Sequence, residues 1–379
     1  MTTSTTSRIT KLDGLRGLLS VIVALNHSYL VVAIPGFANV WGQNYLILHD
    51  LQSKIQQLFM ILGNGGVAVT MFFVLSGLVM GQSMSRVEFS ARGLLGFFVK
   101  RILRLYPVYI LILVLTAIYM KTIFTYQIFP HASTWYHWWM QFQMTFKEFI
   151  YNFFFIHAYT GGVTWTLRVI LLASFVFPVF YSLTRKTGKL ADMVIATALI
   201  VASFTVLNLE GFRDLRYLYM FFLGLILPKF KDVFNSVPTW IVSLFLPVGI
   251  VTMLVIRYAT DEYRGGLIEA LIAWIILGLI VFNAKTSVFN WLNHKIPQFF
   301  GKISYSLYLV HWSVLYLLAR FMFGYFPGLP YETHYLLIHS LLFILSLSLA
   351  TVISIPIFKY LETPSASLGK YLNHKISKT

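Results

Sequence analysis

Arg16 and His27 stand eleven residues apart in the stretch "LDGLRGLLSVIVALNH", Leu12 to His27. At 3.6 residues per turn that spacing completes about three revolutions of a helix. Both side chains then share one face, about 16 Å apart along the axis. An imidazole titrates near neutrality and takes a proton from a hydroxyl, while a guanidinium suits phosphate or carboxylate. Spacing alone leaves two readings of His27 open: a catalytic base, and a histidine that packs helices through hydrogen bonds. His311, in "GKISYSLYLVHW", follows Gly301 by ten residues, about 15 Å along its own helix, a depth similar to that of His27. Tyr305 in the same stretch and Arg168 after "VTWTL" are further polar donors. For Arg168, snorkelling to a membrane surface is the plainer reading.

A second group is basic. "FFVKRILRLYPVY" brings Lys100, Arg101 and Arg104 together at the start of an apolar run. These residues suit anchoring at an anionic lipid surface, and equally a binding surface for the phosphates of a soluble donor. A third group is aromatic. "FPHASTWYHWWMQFQM" carries Trp135 and Trp138, which fit an interfacial belt or a platform for sugar rings. His131 and His137 beside them read as surface residues, and the histidines form no metal-binding cluster, so no metal is expected. The chain has no cysteine, which removes disulfides, thiolate nucleophiles and thiolate metal sites.

The elements that carry these groups are membrane helices. Of 379 residues, 58% are hydrophobic and 11% charged, against roughly 25% charged in soluble domains; mean hydropathy is +0.74. Apolar runs predict ten spans, at 14–34, 58–80, 102–120, 165–184, 190–208, 215–229, 237–256, 266–283, 303–323 and 335–358. The expected fold is all-α: one polytopic bundle over 14–358, with cytoplasmic segments 1–13 and 359–379. The first apolar run resembles a signal peptide, but no small-x-small cleavage site follows closely, and a retained first helix is expected. With both termini inside, 20 Lys and Arg fall on the inner side and 8 on the outer, with Arg168 inside a span. The positive-inside bias supports that orientation. It also accounts for the net charge of +16 through anionic lipid, with no nucleic acid partner.

"LDGLRGLLSVIVALNH", "GGVAVTMFFVLSG", "FFVKRILRLYPVY", "VTWTL", "RYLYMFFLGL", "GKISYSLYLVHW" and "YLETP" occur in this order from Leu12 to Pro364. The ordered set resembles the membrane-bound acyltransferase 3 family, O-acyltransferases of cell-surface carbohydrates. The resemblance implies ten core helices and a location in the bacterial cytoplasmic membrane. It makes His27 the general base and Arg16 a donor-binding or site-supporting residue. It makes Lys100, Arg101 and Arg104 contacts to the phosphates of acyl-coenzyme A, most often acetyl-coenzyme A. It singles out Trp165, Thr166 and Leu167, then Gly301, Ser304, Tyr305, Tyr308 and His311, then Glu362 and Pro364. Trp165, Trp135 and Trp138 are the expected acceptor contacts. Many members carry a glutamate three residues beyond the motif leucine; here that position is Ile170.

On this resemblance, His27 accepts the proton of a sugar hydroxyl, whose oxygen attacks the thioester carbonyl carbon. Arg168, Tyr305 and His311 are the expected oxyanion donors. An acyl-histidine intermediate is a second route. Two other classes fit a helical bundle with buried histidines: a proton-coupled transporter, and a noncatalytic partner that keeps the bundle.

Overall fold

The computed structural model describes residues 2–34, 47–158, 160–209, 211, 213–259, 262–283 and 287–378. Among these it is helical throughout, with one isolated β-bridge between Val32 and Ala132. The helices are α1 (Thr2–Ser28), α2 (Leu51–Leu62), α3 (Gly65–Met84), α4 (Ala91–Thr122), α5 (Thr134–Trp138), α6 (Phe146–Phe153), α7 (Thr164–Lys186), α8 (Lys189–Phe204), α9 (Leu218–Ile226), α10 (Lys231–Ser236), α11 (Thr239–Ala259), α12 (Glu262–Phe282), α13 (Lys295–Tyr325), α14 (Tyr335–Ile357) and α15 (Thr363–Lys378).

Among the described residues, seven stretches are long and apolar enough to cross a membrane: Leu51–Met84, Ala91–Thr122, Thr164–Lys186, Thr239–Ile256, Gly265–Phe282, Lys295–Tyr325 and Tyr335–Ile376. The protein is therefore an integral membrane protein. The other three expected spans differ for local reasons. α1 carries Lys11, Asp13 and Arg16 in its own length, α8 has 16 residues, and α9 has only 9, flanked by 3-10 turns. Exposed apolar side chains such as Leu115, Phe175, Leu244, Val248 and Ile344 lie on the outer helices, where acyl chains would meet them.

Several boundaries move from their expected places. The run expected at 58–80 is broken at Gly63 and Asn64, because the Asn64 side chain caps the amide of Val67 at 3.2 Å and starts a new helix. α4 and α13 begin earlier than their apolar cores, since Lys and Arg are good helix formers. After a π-helical turn at Phe358–Glu362, α15 continues to Lys378 and packs along α4, with Gly96 against Asn373 and Gly369 against Lys100.

α1 lies at the centre, against α13, α3, α14 and α12. The contact with α13 depends on small residues. A Cβ on Gly17 would overlap the backbone of Pro297 and Gly301, and one on Gly301 would overlap the Asp13 carbonyl. Such close backbone approach is the usual way to gain dispersion energy between membrane helices. It holds α1 and α13 in register, and both histidines project from this pair. Beyond Ser28 the chain is sutured to the loop before α5. Ala33 N–H donates to His131 O at 2.9 Å, Ser133 N–H donates to Val31 O at 2.9 Å, and the Ser133 hydroxyl donates to Leu30 O. That suture sets Trp135 of α5 over His27, ring centroids 5.4 Å apart.

Candidate active site

His311 lies one helical turn beyond Leu307, and its Nδ1 is 3.1 Å from the Leu307 carbonyl oxygen. A carbonyl only accepts, so Nδ1 carries the proton, and in the neutral ring Nε2 carries the lone pair. That lone pair faces His27 Nδ1 at 3.1 Å. His27 Nδ1–H is therefore the donor, and the second ring nitrogen, Nε2, is left unprotonated. The tautomers follow from the network. The two rings stack at 16°, with centroids 5.3 Å apart. A base oriented through its other nitrogen is the arrangement a general base needs. Here a second histidine and a backbone carbonyl do the orienting, with no carboxylate.

His27 lines a cavity of about 140 Å³, together with Asn26, Gly65, Gly66, Thr70, Trp165 and Arg216. Trp165 packs against Phe73 and Tyr217 at centroid distances of 6.1 and 5.5 Å. Gly162 on the same wall admits the Trp312 indole, whose Nε1 would lie 2.6 Å from an added Cβ. Trp135 covers the His27 ring. Trp138 is 74% exposed and lines neither this cavity nor the next.

A second cavity, about 320 Å³, is lined by Arg16, Lys100, Arg101 and Arg104. Lys100 donates to Ser83 Oγ at 3.1 Å, Arg101 Nε to Ser174 Oγ at 3.3 Å, and Arg16 pairs with Asp13 at 2.9 Å. Arg104 has no hydrogen-bond or ion-pair partner among the described residues. Four cations thus surround one cavity, and guanidinium and ammonium groups of this kind suit phosphate. Ile170, where family members often carry an acid, lines its apolar wall.

The two cavities lie back to back and share Val69, Phe73 and Tyr308 as a partition. Thr166 Oγ1 donates to Val163 O at 2.7 Å, which uses its one proton. The Tyr308 hydroxyl, 3.0 Å away, therefore donates to Thr166 Oγ1. Phe73 is fixed in an aromatic cluster with Trp165, Tyr217 and Phe221. Tyr308 is held by one hydrogen bond, an edge contact with Phe72 and a tilted contact with the His311 ring.

The family described as acyltransferase domain matches residues 9–359 of the chain. The chain belongs to the acyltransferase 3 family. No curated protein and no solved structure matches the chain. Membership makes this a membrane acyltransferase.

The three groups expected as oxyanion donors are committed elsewhere in this acyltransferase. Arg168 pairs with Asp214 at 2.6 Å, donates to Ile156 O at 3.2 Å, and lines neither cavity. Tyr305 faces the basic cavity, and its hydroxyl donates to the Leu105 carbonyl. His311 has one nitrogen on Leu307 and the other on His27. Arg16 opens on the basic cavity, away from His27, as the helix spacing requires. His137 accepts from the Phe129 amide at 3.0 Å, and burial lowers its pKa; His131 stacks on Tyr331. Both brace the loop. Among the described residues no group of three His, Cys, Asp or Glu gathers to hold a metal.

Glu269 of α12 is fully buried and accepts from Thr70 Oγ1 at 3.1 Å. It is the lone acid inside "LIEALIAWIILGLIVF", and an ionisable side chain within a membrane span is of the kind that marks function. Glu362 is likewise buried and accepts from Ser306 at 2.6 Å.

Proposed function

We propose that the chain moves an acyl group, in the first instance acetyl, from acyl-coenzyme A to a hydroxyl of a cell-surface or lipid-linked carbohydrate. The observation that carries this reading is the pair of cavities. One is ringed by four cations, the other holds a base whose free nitrogen is defined, and they share a single partition.

The donor's phosphates suit Arg16, Lys100, Arg101 and Arg104, on the side that the positive-inside bias assigns to the cytoplasm. Its thioester arm reaches toward the partition, which Tyr308 must clear. The carbohydrate approaches from the opposite side, its rings against Trp165 and Trp135, and presents a hydroxyl to His27 Nε2. His27 takes the hydroxyl proton as the oxygen bonds to the carbonyl carbon. The tetrahedral adduct then collapses, the C–S bond breaks, and the proton passes from His27 to the departing thiolate. The His27 proton on Nδ1 stays on the ring, held by His311.

The excess of basic residues suits an anionic inner leaflet, consistent with a bacterial cytoplasmic membrane. The test is purified protein given acetyl-coenzyme A and candidate glycans, with coenzyme A release and product mass followed together. An acyl mass on the glycan that disappears in His27→Ala is expected. Glycan-dependent coenzyme A release that persists in folded His27→Ala would exclude His27 as the base.

A further inference from the structure

The acyl transfer just described places negative charge on the carbonyl oxygen of the thioester, and the donors expected from the motifs all serve other partners. The structure offers a different set in the cavity of His27. Asn26 is the residue next to His27 on α1 and only 6% exposed, and it lines the same cavity. Its Nδ2 is buried and has no hydrogen-bond partner among the described residues. A buried amide donor left unmade costs stability, and a water or a ligand in the cavity can complete it.

The second set is backbone. α3 begins in the same cavity, which Gly65 and Gly66 line. The Asn64 side chain takes the Val67 amide, and Ala68 N–H bonds back to Asn64 O at 3.1 Å. The helix therefore leaves the amides of Gly65 and Gly66 without an intrahelical acceptor, at the positive end of its dipole. Gly65 packs directly on Asn26: a Cβ there would lie 2.9 Å from Asn26 Oδ1. The Asn26 amide group and the helix start are thus neighbours across one wall, and both line the cavity of His27.

We propose that Asn26 Nδ2 and the amides of Gly65 and Gly66 form the oxyanion hole for acyl transfer. This rests on the acyl-coenzyme A reading above. As the acceptor oxygen bonds to the carbonyl carbon, the C=O electron pair moves onto the carbonyl oxygen, which these N–H groups hold. When the C–S bond breaks, the C=O bond reforms and the product ester leaves the hole. No group outside the two substrates and His27 gains or loses a proton.

Asn26→Asp keeps the shape of the side chain and removes its donor. Its kcat is expected to fall about 100- to 1,000-fold, with affinity for a thioether analogue of acyl-coenzyme A within threefold of wild type. Asn26→Ser and Asn26→Ala are similar in size, and only serine donates; serine is expected to retain at least tenfold more kcat. A reading independent of turnover is the infrared stretch of the thioester carbonyl in bound [1-13C]acetyl-coenzyme A. The wild type should lower that frequency relative to water, and the two non-donating variants should lose much of the shift. Equal kcat for serine and alanine, or a carbonyl stretch indifferent to Asn26, overturns the hole alone. Failure of the wild type to bind acyl-coenzyme A overturns the donor reading and this inference together.

Discussion

His27 Nδ1 donates to His311 Nε2 across 3.1 Å, and His311 Nδ1 donates to the Leu307 carbonyl across the same distance. The direction of both bonds is set by one fact, that a carbonyl cannot donate. The relay fixes the orientation and tautomer of the His27 ring through His311 and one backbone carbonyl. Replacing His27 by Ala should lower kcat by about 10²- to 10⁴-fold. His311→Ala should lower kcat at least about tenfold while leaving the donor KM within twofold. Steady-state kinetics on both variants check this, and an unaltered kcat in His311→Ala would rule out the relay.

The Tyr308–Thr166 bond closes the partition between the cavities. Thr166→Val removes the acceptor and leaves the ring, so the partition should open more often and admit water to the thioester. Acceptor-independent hydrolysis is expected to rise several-fold relative to transfer, and further in Tyr308→Ala. The absence of cysteine allows a second check. Ser76→Cys, in the basic cavity, should react faster with an impermeant thiol reagent supplied from the His27 side when Tyr308→Ala is added.

The basic cavity predicts a split between binding and chemistry. Hydrogen bonds to charged groups contribute about 1.5–3 kcal/mol, so Arg104→Ala should raise the donor KM by roughly 10- to 100-fold. Its kcat should hold within a few-fold, and the wild-type KM should rise with salt. A variant that lost kcat alone would argue against phosphate binding there.

Gly301 has no room for a side chain against the Asp13 carbonyl. Gly301→Ala should force α1 from α13 and cost about 1–3 kcal/mol, as overpacking does. Because both histidines ride on these helices, activity should fall below what the melting temperature accounts for. Thermal melts and transfer assays on one preparation decide it.

Asp50 supplies a pH dependence outside the spans. Burial pushes its carboxyl up, but hydrogen bonds from Tyr335 and from the side chain and amide of Ser53 outweigh that and hold it below its usual value. A depressed carboxyl stabilises the fold above its unfolded pKa, about 3.9, and the contribution is lost as pH falls through the folded value. The carboxylate is exposed, so the effect is at most about 1 kcal/mol. Melting curves of wild type and Asp50→Asn should differ at neutral pH and converge below about pH 4.

The chain itself determined the solvent in which it folds and where its helices lie. Long apolar runs with 11% charge admit no other medium, and backbone groups in lipid must bond within a helix. The helical period also separated Arg16 from His27 along α1, and the structure gives each its own cavity. Tertiary structure decided what each polar group faces. The motifs put Arg168, Tyr305 and His311 forward as donors, but hydrogen bonds reach only about 3 Å. Asp214 holds Arg168 in an ion pair and Ile156 O accepts from it, while the Leu105 and Leu307 carbonyls accept from Tyr305 and His311. Asn26 and Glu269 were legible as polar residues in apolar runs. Their surroundings depend on α3 and α1 meeting at Gly65, and on α12 meeting α3 at Thr70. Periodicity assigns a side chain to a face of its own helix; only packing between helices brings distant residues within bonding distance.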